Sequence, residues 1–577
     1  MLAGLPAHRL TTMRPVVEQT TTEVELSIVI PTCNRPRRLR ACIESLMEQE
    51  ELPESLELIV VVDGPDPATE EMLGSLKPPF PLRVVVQEHA RQAAARNRGV
   101  EEARGRYVLF LDDDIVAGKR LVAAHLGVLR AGDRIVGIGP IEKVLSRRAP
   151  RWARTRQTVW RNHYERLSAG REPRFTDCYG GNLSLSRSAF VAVGGFAHDL
   201  TVEHDVEFGY RLGEAGMTFV HVRDAFAREE DRDTLRRFVA DARRRGIVGV
   251  TLYERHPALL PYLRLGGAGE LPRQWIALRR LLLVLRLPPR LLAVVAKLVP
   301  SDAFVGRWLS FLYSYCYSCG VRDNVDGETW RRLQRGTAIL MYHAVGRERE
   351  SPSRYVLPVS HFKRQLAWLK LRRYNVISLD EFVRARIEHR LPPPRSIVLT
   401  FDDGYADNVE LGLPALERYG FPATIFLVSA AEGRANWDSA AEIQGRALLS
   451  PADARGLNGR LAFGAHSRTH PSLPRLEPAE LEREVSGSRI ELEAALGASV
   501  STFAYPYGET SPEVEQAVVK AGYLAACGIS PGRNRPAGDL YALHRLEVRG
   551  TDSLLRFGVT LWLGDTRSFF RRRRRDS

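Results

Sequence analysis

Cysteine is scarce in this chain of 577 residues, which has six cysteines scattered along its length. A disulfide framework needs a denser and more regular set. The closest pair, Cys316 and Cys319, forms a single C-x-x-C motif, and without a second pair it gives little support to a zinc or redox site. The sequence therefore predicts domains that are stabilised by hydrophobic cores, and it is compatible with a reducing compartment.

Long uninterrupted apolar runs are also absent. A membrane-spanning helix needs about 20 consecutive apolar residues. The closest stretch, residues 275–299, contains five Arg or Lys residues and the pair Pro288-Pro289. Residues 1–23 contain no apolar run long enough for a secretory signal. We therefore expect a cytoplasmic protein without a spanning segment.

The leucine-rich stretch 275–299 has two interpretations. On a helical wheel, positions 279, 286, 290 and 297 form one basic stripe beside broad apolar faces, although the two prolines restrict this pattern to each half separately. Such helices suit the interface of an anionic membrane, which would make the protein peripheral at the inner face of the cell membrane. Helices packed between two domains are the alternative, and the sequence leaves both open.

Acidic residues are outnumbered by basic ones. The 83 Lys and Arg against 69 Asp and Glu give a formal net charge of +14, which favours an anionic partner such as a nucleotide sugar, an acidic lipid or a nucleic acid. No nucleic-acid recognition motif accompanies the charge, so we do not expect nucleic acid as a partner. The arginine run 571–575 suits either a solvated tail or a contact with a membrane surface.

Two α/β domains are expected, because the chain is several times longer than a typical domain. Short apolar runs alternate with helical spacing from Leu26 and again from Thr337, which indicates mainly parallel sheets. Between these regions the strand signal fades. The predicted division is a flexible segment 1–23, an α/β domain 24–255, an amphipathic helical connector 256–335, a second α/β domain 336–560 and a basic tail 561–577.

The C-terminal domain has potential metal ligands at predicted strand ends, where α/β folds place their chemistry. Asp402 and Asp403 follow an apolar run, and His466 and His470 come about sixty residues later. Two imidazoles and one carboxylate leave coordination positions open for water and substrate. A second carboxylate can accept a proton from the attacking water. Taken singly, each motif also suits an ordinary turn or loop, but together they predict a metal-dependent hydrolase.

Three motifs of this domain resemble those of the polysaccharide deacetylases, carbohydrate esterase family 4, also called NodB-like. The motifs are T-F-D-D-G at 400–404, H-S-R-T-H at 466–470 and F-A-Y-P-Y-G at 503–508. The resemblance covers about residues 336–550 and implies a distorted (β/α) barrel.

The resemblance also implies roles for individual residues. Asp402 is the expected general base, and Asp403, His466 and His470 are expected to hold a divalent metal, zinc or another transition metal. The backbone N–H of Tyr507 is expected to help hold the oxyanion. The implied reaction is hydrolysis of an N-acetyl or, less often, an O-acetyl group on a sugar.

This sequence departs from the family pattern at two points. The arginine that often precedes the P-Y pair is not evident, so another partner must orient Asp402. The late histidine that acts as general acid in the family is matched to His544, for which an ordinary histidine at a strand end is the alternative. His343 is another strand-end histidine and a weaker candidate for the cleft.

The N-terminal domain contains three consecutive carboxylates, Asp112 to Asp114, at the end of a predicted buried strand. Neighbouring carboxylates raise each other's proton affinity, and a divalent cation is the simplest remedy. Hard oxygen ligands suit magnesium or manganese bridging to a diphosphate. A calcium loop is the alternative, but residues 115–119 supply no further oxygen ligands.

Six further motifs and this triplet resemble the family 2 glycosyltransferases of the GT-A fold over about residues 24–230. The motifs are S-I-V-I-P-T-C-N-R at 27–35, V-V-D-G at 61–64, A-A-R-N-R-G at 94–99, G-G-N at 180–182, G-G-F at 194–196 and E-H-D-V-E-F-G-Y-R-L at 203–212. The implied fold is a Rossmann-like nucleotide-diphospho-sugar transferase domain.

This second resemblance assigns Asp63 to the nucleotide base, Asp112 and Asp114 to the metal and the diphosphate, and Asp205 to the catalytic base of an inverting transfer. Two departures, His204 in place of an acidic residue and the single aspartate of V-V-D-G, leave donor and acceptor open. Further expected substrate-binding residues are Arg96, Asn97 and Asn182.

The combined prediction is a bifunctional carbohydrate enzyme with a divalent metal in each domain. One domain transfers a sugar from a nucleotide sugar, UDP-linked in our expectation, to a glycan or lipid-linked acceptor. The other removes acetyl groups from a glycan. The alternative is that one half alone is catalytic and the other is a glycan-binding or targeting module.

Overall fold

The structure, a computed structural model, describes residues 24–564 apart from 231–233, 267–270, 299–300, 432, 434 and 436–442. The predicted segment 1–23 and residues 565–577 of the predicted basic tail lie outside the described residues. The chain divides into two compact units, Met1–Arg237 with Ala293–Leu309 and Phe238–Leu292 with Ser310–Ser577. Parts of the predicted connector, residues 256–335, fall in each unit.

The N-terminal unit is built on a seven-stranded sheet in the order β3-β2-β1-β4-β8-β6-β9, with a three-stranded sheet in the order β5-β10-β7. The strands are β1 (Leu26–Thr32), β2 (Leu56–Asp63), β3 (Leu82–Gln87), β4 (Tyr107–Leu111), β5 (Ile115–Ala117), β6 (Ile135–Ile138), β7 (Ile141–Val144), β8 (Asn182–Ser186), β9 (Thr218–His221) and β10 (Ala227–Glu230). The helices are α1 (Pro36–Met47), α2 (Pro67–Gly74), α3 (Arg91–Glu102), α4 (Leu121–Leu129), α5 (Arg151–Ser168), α6 (Arg187–Ala192) and α7 (His204–Glu214).

The larger sheet of this unit is mainly parallel, as predicted. Strands β1 to β4 pair in parallel, and β8 pairs antiparallel with both β4 and β6. Strand β1 is apolar on both faces because each face is covered: Ile28 and Ile30 belong to one hydrophobic core and Val29 to the other. This is a GT-A-like α/β domain whose β4 ends directly before the aspartate triplet.

Next along the chain, the described residues form five α-helices: α8 (Leu235–Arg255), α9 (Arg273–Val284), α10 (Pro289–Leu298), α11 (Asp302–Arg322) and α12 (Gly327–Arg335). Residues 285–288 separate α9 from α10 and begin with a turn; Pro288 ends this segment and Pro289 is the first residue of α10. Among the described residues, no helix has both the length and the hydropathy needed to cross a membrane.

The C-terminal unit contains an eight-stranded parallel sheet in the order β19-β18-β17-β16-β15-β11-β20, with β14 beside β15. The strands are β11 (Ala338–Tyr342), β12 (Ala344–Gly346), β13 (Val356–Pro358), β14 (Asn375–Val376), β15 (Ser396–Phe401), β16 (Thr424–Leu427), β17 (Ala462–Ala465), β18 (Thr502–Ala504), β19 (Ala525–Cys527) and β20 (Leu546–Glu547). The helices are α13 (Val359–Leu371), α14 (Leu379–Ile387), α15 (Leu413–Tyr419), α16 (Pro451–Arg455), α17 (Pro478–Leu496), α18 (Pro512–Lys520) and α19 (Leu554–Leu563).

This sheet is curled into a half-barrel, in agreement with the predicted distorted (β/α) barrel. Its two ends approach each other, because Leu543 forms an isolated parallel bridge with Cys527 of β19. In a parallel sheet the carboxyl ends of all strands lie at one edge. The motif residues that follow β15, β17 and β18 are therefore brought to the same edge.

Candidate active sites

The predicted metal ligands of the C-terminal unit converge at the carboxyl edge of the half-barrel. The ligand atoms of Asp403, His466 and His470 all lie within 4.8 Å of one another. The Nε2 atoms of His466 and His470 lie 3.5 Å and 3.3 Å from Asp403 Oδ1. All three side chains are buried, so their polar atoms need one another or a bound ion.

The chemistry of these donors fits a divalent ion. His466 Nδ1 lies 2.7 Å from the Ala504 carbonyl oxygen, which can only accept, so Nδ1 carries a proton and Nε2 is the ring atom that faces Asp403. Burial acts to raise the pKa of the Asp403 carboxyl, but hydrogen bonds from His466 and His470 outweigh it and hold that pKa well below its usual range. The carboxylate is thus ionised, as a metal ligand must be.

The backbone at this edge is strained. Four non-glycine residues adopt left-handed backbone conformations: Asp403 (φ 68°), Ser467 (φ 62°), His470 (φ 63°) and Tyr507 (φ 57°). Such conformations are uncommon for non-glycine residues and cluster at functional sites. Here they turn the chain sharply just after the strand ends.

Asp402, the predicted base, is paired with an arginine that the sequence analysis did not single out. Arg545 donates from Nη1 to Oδ1 of Asp402 at 2.6 Å and from Nη2 to Oδ2 at 2.8 Å. Both side chains are buried, and a two-pronged contact of this kind fixes the orientation of a carboxylate. Burial acts to raise the pKa of Asp402, but the charges of Arg545 and His466 lower it below its usual value.

The structure does not bring His544 into this site. Its side chain is exposed, and its backbone N–H and carbonyl are bonded to the Asn534 side chain at 2.9 Å and 2.8 Å. Along extended chain, neighbouring side chains point to opposite sides. Because Arg545 points inward to Asp402, His544 points outward. The sequence signal that could have identified Arg545 was its place directly after His544.

The candidate metal ligands and Asp402 line a cavity of about 230 Å³. His343 also lines it and packs its ring against Tyr355, with ring centroids 5.0 Å apart. Tyr507 also lines the cavity, with its ring centroid 4.7 Å from that of His470. The cavity thus combines a candidate ligand set with two imidazoles, an ionised carboxylate and a third imidazole, that of His343.

Replacing Arg545 by Met is expected to lower the free energy of unfolding of the C-terminal unit by about 3–5 kcal/mol, because Asp402 would remain buried without its counter-charge. Urea unfolding followed by tryptophan fluorescence measures this. Arg549→Met is the control, since Arg549 is partly exposed and pairs with Glu547 at 3.0 Å; its expected cost is below about 1 kcal/mol. Equal costs for the two variants would contradict the assigned role of Arg545.

In the N-terminal unit, arginines neutralise the aspartate triplet. Asp113 accepts hydrogen bonds from Thr32 at 2.8 Å and Arg35 at 3.0 Å, and Asp114 accepts from Arg38 at 2.8 Å and Arg35 at 3.2 Å. Burial raises the pKa of Asp113 to about 6. The crowding that predicted a metal is therefore relieved in part by the protein itself.

Asp112 and Asp205 are joined through one buried arginine. Arg96 donates from Nη2 to Asp112 at 2.7 Å and from Nη1 to Asp205 at 3.0 Å, and its Nη1 also lies 3.1 Å from His204 Nε2. Burial acts to raise the pKa of Asp205, but the charges of His204 and Arg96 hold it well below its usual range. The predicted metal-binding and catalytic carboxylates thus share one guanidinium.

The G-G-N motif makes room for this arrangement. A Cβ at Gly180 would lie 2.3 Å from Arg96 Nη1, and a Cβ at Gly181 would lie 2.7 Å from Asp112 Oδ2. Any other residue at these positions would displace the arginine or the aspartate. The motif therefore preserves the link between Asp112 and Asp205.

Asp63 lies at the carboxyl end of β2 and caps α3. Its carboxylate accepts hydrogen bonds from the backbone N–H groups of Ala90 and Arg91 at 2.7 Å and 2.9 Å, and from the Gln87 amide at 2.8 Å. The side chain is 5% exposed. Both carboxylate oxygens are therefore engaged by the protein, which positions the start of the helix that carries Arg96.

The amides of Asn97 and Asn182 are also occupied by protein partners. Asn97 bonds to both the N–H and the carbonyl of Phe196, each at 2.9 Å. Asn182 is fully buried, with its oxygen 2.9 Å from His125 Nε2 and its nitrogen 2.8 Å from the Ala225 carbonyl. Both ends of the Asn182 amide are therefore engaged inside the core, the oxygen by a histidine ring and the nitrogen by a backbone carbonyl.

Comparison with known proteins places both sites in families. Residues 27–194 match the family model Glycosyl transferase family 2, and residues 389–526 match the model Polysaccharide deacetylase. The chain carries a family 2 glycosyl transferase domain and a polysaccharide deacetylase domain. The transferase match includes the aspartate triplet and Arg96 but ends before Asp205, and the deacetylase match ends before Arg545.

Individual relatives divide between the two domains. The chain is 25% identical to the putative polysaccharide deacetylase YxkH of Bacillus subtilis, over 41% of this chain and 80% of that protein. It is 29% identical to a validoxylamine A glucosyltransferase of Streptomyces hygroscopicus, over 41% of this chain and 58% of that protein. It is 26% identical to a poly-beta-1,6-N-acetyl-D-glucosamine N-deacetylase of Staphylococcus aureus, over 31% of this chain and 65% of that protein.

The two domains differ in how they present candidate metal-binding residues. Both families typically use divalent metals. The deacetylase domain contains the candidate site Asp403, His466 and His470, which among the described residues is the one group of three such ligands. In the transferase domain, Asp112 and Asp114 are partly exposed at 28% and 14%, and their carboxylate oxygens fit a hard cation.

Proposed function

We propose that the chain is a bifunctional carbohydrate enzyme. Its transferase domain moves a sugar with inversion from a UDP-linked donor to a glycan or lipid-linked acceptor, and its deacetylase domain removes N-acetyl groups from a glycan. The deacetylase activity is supported by the buried candidate ligand set, which lies beside Asp402. Arg545 keeps the Asp402 carboxylate ionised. The observation that carries the transfer half is the shared contact of Asp112 and Asp205 with Arg96.

In the deacetylase domain, Asp403, His466 and His470 would hold a divalent ion, zinc in this proposal, which supplies Lewis-acid activation of water and of the acetyl carbonyl. Asp402 accepts the proton of the attacking water. The backbone N–H of Tyr507 stabilises negative charge on the carbonyl oxygen. An amide substrate is favoured because the named Staphylococcus aureus relative is an N-deacetylase.

His343 is the proposed proton donor to the leaving amine, in place of His544. His343 lines the cavity, whereas His544 is exposed outside it. We expect His343→Asn to lower kcat for acetate release by about a hundredfold, the usual contribution of a general acid. His544→Asn is the control and should stay within about twofold of wild type. If His544→Asn instead caused the larger loss of kcat, His544 would be the donor.

In the transferase domain, Asp112 and Asp114 would hold magnesium or manganese, which supplies charge neutralisation for the departing diphosphate. Asp205 accepts the proton of the acceptor hydroxyl as that hydroxyl attacks the anomeric carbon. Arg96 positions both carboxylates from a buried site between them. Because the donor is a nucleotide sugar, we place the reaction in the cytoplasm.

The proposal includes a peripheral contact with an anionic membrane. On and just after α9, Leu281, Val284 and Leu285 are 55%, 80% and 62% exposed, beside the exposed Arg280. Apolar side chains flanked by arginine suit an anionic interface.

We expect the double change Val284→Glu with Leu285→Glu to reduce co-sedimentation with phosphatidylglycerol vesicles about tenfold. Ile490→Glu, on α17 and also exposed, is the control. Equal sedimentation of all three proteins would favour the alternative that this segment packs against protein.

One assay tests the whole proposal. Purified full-length chain is given UDP-N-acetylglucosamine or other donors with a glycan or lipid acceptor, and nucleotide release and acetate release are followed together. Chelation should stop both reactions, and zinc should restore acetate release while magnesium or manganese restores transfer. If one release never occurs with any substrate, the alternative that one half is a binding or targeting module takes its place.

A further inference from the structure

A second cavity of the C-terminal unit lies at the opposite end of the half-barrel from the catalytic residues. It has a volume of about 220 Å³, and both Thr337, just before β11, and Ser396, the first residue of β15, line it. Asp402 follows the other end of β15. Six residues of strand separate the two ends by about 20 Å. The cavity is therefore distinct from the site of acetyl hydrolysis.

The wall of this cavity is strongly basic. A single acidic residue, Glu328, lines it. Its arginines are Arg331, Arg332, Arg335, Arg386, Arg395 and Arg533. Six guanidinium groups around so small a volume repel one another unless an anion lies among them.

The most buried of these arginines has an unused donor. Arg386, on α14, is 7% exposed, and its Nη2 donates to the Gly538 carbonyl. Its Nη1 is buried and has no hydrogen-bond partner. A buried donor left without a partner costs free energy, so this nitrogen marks a position where a ligand acceptor fits.

The neighbouring guanidinium groups bond to neutral acceptors. Arg332 donates to the carbonyls of Leu391 and Pro392 at 2.6 Å and 2.9 Å. Arg533 donates to the carbonyls of Gly336 and Leu561. Carbonyl oxygens satisfy hydrogen bonds but carry no charge that would compensate a cation.

The electrostatics agree with this geometry. Burial lowers the pKa of Arg386 to about 10, although the charge of Asp539 acts in the opposite direction. Burial also lowers the pKa of Arg533 to about 10, where Tyr374 acts to raise it and the charge of Arg335 lowers it. An arginine with a lowered pKa is a cation without sufficient counter-charge.

We propose that this cavity binds a small phosphate-bearing anion at a site separate from the deacetylase active site. Guanidinium groups match phosphate oxygens through paired hydrogen bonds, and Arg386 Nη1 offers one that the protein does not use. Tyr374 adds an aromatic wall beside the basic groups, and the Arg395 guanidinium lies over its ring, 5.1 Å from the centroid. The inference depends on this cavity alone and not on the proposed enzymatic activities.

The test measures pyrophosphate binding to the full-length chain by isothermal titration calorimetry, with EDTA present so that metal-dependent binding in the transferase domain is suppressed. We expect Arg386→Gln to weaken the affinity about tenfold or more, the loss expected for a hydrogen bond to a charged group. Arg384→Gln is the matched control, because Arg384 lies on the same helix, is exposed and does not line the cavity. If Arg386→Gln fails to fold, the exposed rim variant Arg335→Gln replaces it, with an expected weakening of about threefold or more.

Parallel titrations with inorganic phosphate, UDP and phosphatidylglycerol vesicles identify the source of the phosphate group. Binding of a free anion that Arg386→Gln weakens supports a soluble ligand. Binding of vesicles alone, weakened by the same change, supports a lipid headgroup. The proposal is overturned if no probe binds, or if Arg386→Gln binds the probe as tightly as wild type and Arg384→Gln do. It is also overturned if sodium chloride at matched ionic strength gives the same heat as the probe.

Discussion

Asp402→Asn is expected to reduce acetate release from an acetylated glycan about a thousandfold, because the amide cannot accept the proton of the attacking water. Nucleotide release from the sugar donor should stay within about twofold of wild type, since Asp402 belongs to the other domain. The two products are measured in one reaction, by coupled acetate and nucleotide assays.

Two controls separate catalysis from folding in this experiment. Asp380→Asn makes the same chemical change at an exposed position of the same domain, where the side chain accepts a hydrogen bond from Ser501. Thermal unfolding of Asp402→Asn shows whether the loss of charge opposite Arg545 unfolds the domain. Acetate release at the wild-type rate in a folded Asp402→Asn protein would exclude Asp402 as the base.

Asp205→Asn is expected to have the opposite pattern. Sugar transfer should fall about a thousandfold, because the acceptor hydroxyl loses the carboxylate that accepts its proton. Acetate release should be unchanged. The measurement is incorporation of labelled sugar into the acceptor, with acetate release from the same sample as the internal standard.

A matched control for Asp205 is Asp133→Asn, at an exposed carboxylate of the same domain that pairs with Arg106 at 2.9 Å. Asp205 also shares Arg96 with Asp112, so donor affinity is measured separately by titration with UDP. Loss of donor binding with an unchanged kcat would assign Asp205 to the donor site instead of to proton transfer.

The convergence of the candidate metal ligands could be anticipated from short motifs because each motif carries its own geometry. Asp403 follows one strand, and His466 and His470 follow another, so the edge of a parallel sheet alone brings them together. In the structure the candidate ligand atoms of the three residues lie within 4.8 Å of one another. No long-range information was needed beyond the order of the strands.

The partner of Asp402 is a different case. The sequence showed that the expected arginine was missing but could not name its replacement, since Arg545 is 143 residues away. A shift of one residue in the segment that leads into β20 would exchange Arg545 with His544 in the site. Such a choice of register depends on packing across the whole half-barrel.

In the N-terminal domain, the sequence of the aspartate triplet likewise did not reveal which groups balance its charge. Its crowding indicated that positive charge must lie nearby, and a metal was the inferred source. The fold brings Arg35, Arg38 and Arg96 from two helices or their ends to the same place. Charge balance could therefore be predicted from the triplet, but not the groups that provide it.

The sequence by itself determined that this protein has two α/β domains, which families they resemble, and which carboxylates and imidazoles end the critical strands, because periodicity and short motifs are local properties of the chain. Only the tertiary structure decided that Arg545 and not His544 faces Asp402, that Arg96 joins Asp112 to Asp205, and that Asn182 lies in the core. Each of these depends on contacts between residues far apart in the chain, which form only when the sheets pair and the helices pack against them.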